Sequence, residues 1–151
     1  MVDHDKLIIE RMQSGDIPAV LELEAGTPGA WSRGHLVDEL RQATGFQFVI
    51  RDKAAGKVLA FVCCRIVAGE AEILKLNVVE DARLKGLGYR LLDFALRHCK
   101  ANGVENCFLE LRSSNFAARK LYEKRGFYKI GYRRDYYREP SEDAILMQLQ
   151  L

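Results

Sequence analysis

The residues best suited to chemistry stand together in Arg83-Leu84-Lys85-Gly86-Leu87-Gly88-Tyr89-Arg90. Two glycines let a backbone approach a ligand closely, and three cations add formal charge. Leu91, Leu92, Ala95, Leu96 and Cys99 then recur at helical spacing, so the glycines open a helix. The first N–H groups of a helix have no partner within it, and the helix dipole adds partial positive charge there. This combination predicts a cradle for a pyrophosphate. It is neither of two common phosphate loops. No Lys-Ser or Lys-Thr pair occurs, which excludes a Walker A motif. Leu91 stands where a dinucleotide fingerprint needs its third glycine.

No other chemistry competes with this loop. His4, His35 and His98 are scattered and suggest neither a metal site nor a triad. Cys63, Cys64, Cys99 and Cys107 form no C-x-x-C pair and read as buried free thiols of a reducing cytoplasm. Cys63 and Cys64 are adjacent, so on a strand they point to opposite faces.

The elements that must position the loop follow from periodicity and punctuation. Residues 6–12 read as a strand, broken by Ser14-Gly15-Asp16. Asp16 and Pro18 open a first helix that ends near Gly26, and Ser32 caps a second through about Ala43. Strands at 46–51, 58–67 and 70–79, separated by turns at Gly56 and Gly69, form an antiparallel meander. After the loop and its helix, Asn102-Gly103 marks a stop. A strand spans 104–111. Asn115 caps a short helix that Gly126 ends. Strands at 127–132 and 144–151 close the chain, joined by a charged, aromatic loop. The expected order is β-α-α-β-β-β-α-β-α-β-β, a mixed α/β fold.

With 151 residues, the chain is expected to be one domain over its whole length. Hydrophobic residues make 48% and charged residues 29%, which excludes a disordered or low-complexity chain. The balance of 23 Lys+Arg against 21 Asp+Glu leaves +2, too even for a nucleic-acid footprint. No run approaches the ~20 apolar residues of a membrane helix. Residues 1–10 carry early charges and lack the pattern of a signal peptide. A cytoplasmic protein with neither nucleic-acid nor membrane partner is expected.

The R-x-x-G-x-G arrangement after a meander strand resembles the acetyl-CoA loop of the Gcn5-related N-acetyltransferases. The second half is closer still: Leu109-Glu110-Leu111-Arg112-Ser113-Ser114-Asn115, Ala117-Ala118, then Leu121-Tyr122-Glu123-Lys124-Arg125-Gly126-Phe127. The ending Arg133-Arg134-Asp135-Tyr136-Tyr137, with Glu142-Asp143-Ala144-Ile145-Leu146-Met147, is similar to the RimI-type ribosomal-protein alanine N-acetyltransferases. So is the pair Trp31-Ser32. The sequence departs from that pattern at Lys75 and Asn77, where Asn and Ala are typical, and at Glu80-Asp81, which replaces an Asp-Pro. The first of these lies on a strand that borders the acceptor site in the family.

The resemblance implies acetyl-CoA as cosubstrate and direct transfer of acetyl to a primary amine, with no metal. It implies a mostly antiparallel sheet in which the fourth and fifth strands splay apart. Glu110 is then the candidate base and Tyr122 the candidate acid for the leaving thiolate. The edge Leu76, Asn77 and Val78 would pair with the pantetheine, with the Val78 N–H polarising the acetyl carbonyl. Arg83, Leu84, Lys85, Gly86, Leu87, Gly88 and Tyr89 would hold the pyrophosphate, and Asn115, Ala118 and Tyr122 would complete the cofactor contacts. Trp31, Lys75, Tyr136 and Tyr137 are the candidate acceptor-side residues. The acceptor so implied is a protein or peptide N-terminal amine. A small amine (a polyamine, amino acid or aminoglycoside) and a non-catalytic acyl-CoA-binding module stay open at this level.

Overall fold

A computed structural model describes residues 3–151. Its elements run β1 (Leu7–Arg11), α1 (Ile17–Glu24), α2 (Arg33–Arg41), β2 (Gly45–Asp52), β3 (Val58–Val67), β4 (Glu70–Val78), α3 (Leu87–Ala101), β5 (Asn106–Arg112), α4 (Phe116–Arg125), β6 (Tyr128–Tyr137) and β7 (Glu142–Gln150). This is the expected order. The strands form one seven-stranded sheet, ordered β1-β2-β3-β4-β5-β7-β6. Every neighbouring pair is antiparallel except β4 and β5. Among the described residues, no helix is long and apolar enough to cross a membrane.

Side-chain alternation divides the interior into two cores. Leu91, Leu92, Ala95, Leu96 and Cys99 of α3 are fully buried against one sheet face, with Cys107, Leu109 and Leu111 of β5 and Tyr122 of α4. Val20, Leu23 and Leu36 of α1 and α2 cover the other, with Val49, Phe61 and Cys63. Cys64 belongs to the α3 core and Cys63 to the α1 core, as adjacent strand residues must. Burial pushes these thiols up, Cys99 to about 11 and Cys107 to about 12, which keeps both protonated.

One irregularity opens the sheet. Cys63 pairs with Lys75 but Cys64 with Ile73, so Leu74 is an extra residue on β4. The bulge resets the alternation. Leu76 and Val78 pack toward α3, whereas Leu74 packs toward α1 and α2. The parallel pairing of β4 with β5 ends at Ile73 and Leu109, while β5 stays paired with β7 to Arg112. Beyond the bulge, β4 and β5 therefore part.

The last hairpin differs from the sequence expectation. Strand β6 continues to Tyr137, so the loop to β7 shrinks to residues 138–141. A register shift between Arg133 and Tyr137 absorbs the extra residues. Asp135 takes a left-handed φ of 51°, and its N–H donates to Asp143 Oδ1 at 2.8 Å. Tyr136 and Tyr137 thus lie on a strand. The strand expected over residues 104–111 is likewise shifted, to Asn106–Arg112.

Candidate active site

The basic loop folds as a helix entrance. After a short 3-10 turn at Glu80–Ala82, Leu84 is fully exposed with φ 61°, and Gly86 caps α3 with φ 81°. The latter conformation favours glycine. The first N–H bonded to the helix is that of Arg90, to the Gly86 carbonyl at 3.0 Å. The N–H groups of Gly86, Leu87, Gly88 and Tyr89 are therefore the unpaired donors of the helix start. Gly88 packs closely: a Cβ there would fall 3.2 Å from Leu121 Cδ2 and 3.6 Å from Val78 Cγ2. The Leu87 side chain is buried, so only its backbone faces outward. Tyr89 lies under the Lys124 ammonium, 5.1 Å from the ring centre.

Two of the three cations bind the protein itself. Arg83 Nε donates to the Val78 carbonyl at 3.0 Å, and Arg90 Nη1 to the His4 carbonyl at 3.1 Å. Lys85 makes no ion pair among the described residues, and His4 Nε2 meets its carbonyl at 3.0 Å.

The gap between β4 and β5 starts beside this entrance. Val79 N–H donates to Leu59 of β3 at 2.8 Å. Successive N–H groups of a strand alternate in direction, so Val78 and Leu76 direct theirs away from β3, into the gap. Asn77 Oδ1 accepts the Val78 N–H at 2.9 Å, while its Nδ2 donates to Leu23 of α1 at 2.9 Å. Across the gap, Asn115 caps α4, its Oδ1 accepting from Ala118 N–H at 3.2 Å. Ala118 packs half-buried against the α3 core.

Glu110 and Tyr122 lie on opposite faces of the sheet. Cys107, Leu109 and Leu111 face α3, so Glu110 faces the other way, its side chain 26% exposed. Arg133 Nε lies 3.7 Å from Glu110 Oε1. Tyr122 is buried under α4, edge-on to Phe127 with ring centres 5.6 Å apart. Burial pushes its phenol well up, reinforced by Cys64, Cys107 and Tyr137. Burial and the charge of Glu110 push Tyr137 up to about 12. The Glu110 carboxylate, as hydrogen-bond acceptor and as charge, also holds Tyr136 up. A groove of about 600 Å³ continues from Glu110 across the sheet, with Glu72, Phe108, Arg133 and Leu146 in its walls. Among the described residues, no His, Cys, Asp and Glu gather as metal ligands would.

A buried carboxylate ties down Trp31 and Lys75, two of the residues expected on the acceptor side. Glu24, 1% exposed at the end of α1, accepts from Trp31 N–H at 2.9 Å and pairs with Lys75 Nζ at 3.1 Å. Lys75 also donates to the Gly29 carbonyl at 2.9 Å and sits 5.7 Å from the Trp31 ring centre. Trp31 stacks on His35 at 4.0 Å. The hairpin that bears Tyr136 and Tyr137 hangs on Arg112, which sequence reasoning quoted without a role. Its guanidinium donates to the Pro140 and Arg138 carbonyls at 2.9 and 3.3 Å and lies 4.6 Å from the Tyr137 ring centre. Tyr136 and Tyr137 meet edge-on at 5.1 Å. Glu24 also went unread, although its spacing of four from Val20 puts it on the buried stripe of α1.

Comparison with known proteins fits this geometry. Residues 17–127 match the family model described as the Acetyltransferase (GNAT) family. The chain belongs to this family. It is 32% identical over 147 residues to the [ribosomal protein bS18]-alanine N-acetyltransferase of Escherichia coli strain K12, covering 95% of this chain and 97% of that one. The crystal structure of the ribosomal-protein-S18-alanine N-acetyltransferase from Escherichia coli superposes with a TM-score of 0.85 at 32% identity, over 95% of this chain and 93% of that one. Ard1 from Thermoplasma volcanium superposes at 0.88, with 25% identity, over 97% of this chain and 98% of its own. The chain is thus a GNAT N-acetyltransferase that takes acetyl-CoA as its acyl donor. Its open helix entrance, the glycine at 88 and the edge of β4 that β5 leaves unpaired suit that donor.

Proposed function

We propose that this protein transfers acetyl from acetyl-CoA to the α-amine of a protein N-terminus, in the cytoplasm. The observation that carries the reading is the placement of Glu110 where β4 and β5 part. It lines the groove with Glu72, Phe108 and Arg133 and stands beside Tyr136 and Tyr137, while Tyr122 lies on the opposite sheet face. The relatives named for alanine N-acetylation of a ribosomal protein support the same acceptor class.

Each step falls to a residue of this chain. The N–H groups of residues 86–89 hold the diphosphate, and the β4 edge at residues 76–78 aligns the pantetheine as an added strand. An α-amine has a pKa near 7.7–8.0, so a fraction is already neutral at pH 7. Glu110 takes the ammonium proton from the rest, directly or through water, and the proton that the nitrogen sheds after attack leaves by the same route. As the amine attacks, the Val78 N–H exchanges the Asn77 oxygen for the acetyl oxygen and stabilises its growing charge. Tyr122, which burial keeps protonated, gives its proton to the departing sulfur. Solvent then reprotonates Tyr122 and takes the proton from Glu110. Trp31 and Lys75 form one wall for the acceptor, Tyr136 and Tyr137 the other.

The test is thiol release from acetyl-CoA with two acceptor pools. One holds peptides with free Ala, Ser, Met or Gly termini, each with an N-terminally blocked, lysine-containing control. The other holds polyamines, amino acids and aminoglycosides. Turnover confined to free peptide termini is expected. Turnover with small amines alone would overturn the acceptor class and leave the fold and family intact.

A further inference from the structure

The segment before β1 packs against the loop that leads into α3. His4–Lys6 forms a 3-10 turn, and from it the His4 ring reaches the Lys85 carbonyl at 3.0 Å, 81 residues away. A carbonyl only accepts, so His4 Nε2 carries the proton. Both the neutral tautomer with Nε2–H and the imidazolium can make this bond. Arg90 of the first turn of α3 donates to the His4 carbonyl at 3.1 Å. The ring also lies against Gly86, where an added Cβ would come within 3.9 Å of His4 Cε1. His4 is thus tied to the loop on one side and to the helix on the other.

This contact fixes a direction. A trans peptide plane turns its carbonyl and its N–H to opposite sides. With the Lys85 carbonyl drawn to His4, the Gly86 N–H of the same plane points away from it, on the outer side of the loop. The loop needs such a restraint, because Leu84 and Gly86 both take left-handed conformations, with φ of 61° and 81°. A glycine so placed is free to rotate unless something holds its peptide.

We propose that His4 is a positioning residue for the diphosphate of acetyl-CoA. It presets the Lys85–Gly86 peptide so that the Gly86 N–H joins those of Leu87, Gly88 and Tyr89 at the cradle. Arg90 serves this latch, and Lys85 remains the loop cation with no protein partner among the described residues. The proposal rests on the reading of residues 83–89 as the diphosphate site.

The experiment compares two acyl donors in the full-length protein. S-acetylpantetheine lacks the diphosphate; acetyl-CoA carries it. Loss of one neutral hydrogen bond corresponds to about fivefold, so His4→Ala is expected to raise the KM for acetyl-CoA by about fivefold, with the change in KM and not in kcat. The kcat/KM for S-acetylpantetheine stays as in the parent. His4→Gln, whose amide nitrogen reaches the same carbonyl, restores the acetyl-CoA value to within about twofold. Equal losses with both donors, or no loss with either, would overturn the proposal. Gly86→Glu separates this failure from that of the underlying reading. If Gly86→Glu abolishes acetyl-CoA binding while His4→Ala changes nothing, only the role of His4 falls. If Gly86→Glu binds acetyl-CoA normally, the diphosphate site itself has been misplaced and the His4 proposal falls with it.

Discussion

Lys75 and Glu24 form a 3.1 Å ion pair that ties β4 to the end of α1. The Glu24 side chain is 1% exposed and that of Lys75 20%, so the pair sits away from bulk water. Removing the cation leaves a buried carboxylate with only the Trp31 N–H and the Asn77 amide, the latter at 3.5 Å. Breaking a buried pair from one side costs about 3 kcal/mol at the low end. Lys75→Met is therefore expected to lower unfolding free energy by about that much, and Glu24→Gln in the same chain to recover part of it. Urea unfolding of the single and double variants checks this. An unchanged midpoint in Lys75→Met would show that the pair contributes nothing.

Tyr122 supplies the second prediction. Burial pushes its phenol up, so the proton stays on the ring throughout the neutral and mildly alkaline range. Tyr122→Phe keeps the ring against Phe127 and removes only the hydroxyl. The expected loss in kcat is about 10²-fold or more, the size of a general-acid contribution, with acetyl-CoA affinity little changed. In the parent, kcat shows no alkaline fall assignable to this residue below about pH 10, the ordinary tyrosine value. Undiminished kcat in the variant would remove Tyr122 as the acid.

Glu110 gives a prediction that depends on the acceptor. A base matters most while the amine is protonated, and an α-amine is largely neutral above about pH 8. Glu110→Gln is expected to reduce kcat/KM by about 10²-fold at pH 7, with the deficit narrowing as pH rises past 8. Rate profiles of both proteins on one peptide from pH 6.5 to 9.5 measure this. A deficit constant across the range would assign Glu110 to positioning rather than to proton transfer.

Much of this architecture was legible because its signals are local. The order of elements followed from spacing and punctuation, and Gly86, Asn115 and Gly126 cap where the sequence puts caps. Cys63 and Cys64 separated into the two cores for the same reason. Strand β6 was read too short because nearly all of it is exposed, so burial imposes no apolar alternation on it. Glu24 escaped because a carboxylate near a helix end ordinarily faces water, and its partner lies 51 residues on, across the bulge. The His4 contact spans 81 residues and carries no local pattern at all. What stayed hidden in the site was long-range polar pairing, which chemistry permits in many ways and only the fold selects.

The last prediction concerns the tie between the β6–β7 hairpin and the start of α4. Glu142 accepts from the Ser114 N–H and from Ser113 Oγ at 3.1 Å, with Arg112 Nη1 at 3.5 Å. Hydrogen bonding from Ser114 holds its carboxyl below the ordinary value of 4.5, opposed by burial and helped to a lesser degree by Ser113 and Arg112. A carboxyl depressed in the folded state stabilises fully above its unfolded value, and that contribution is lost as pH falls through the folded one. Glu142→Gln is therefore expected to cost about 2 kcal/mol at pH 7, the scale of a hydrogen bond to a charged group. The gap between parent and variant should be flat from pH 7 down to about 5 and close below the ordinary 4.5. Because the same carboxylate anchors the hairpin that bears Tyr136 and Tyr137, the variant should also show a raised KM for the acceptor peptide, with acetyl-CoA KM unmoved. Thermal unfolding from pH 3 to 7, run beside acceptor kinetics at pH 7, tests both parts. A gap that persists undiminished at pH 3 would mean that the charge of Glu142 is not what holds the hairpin.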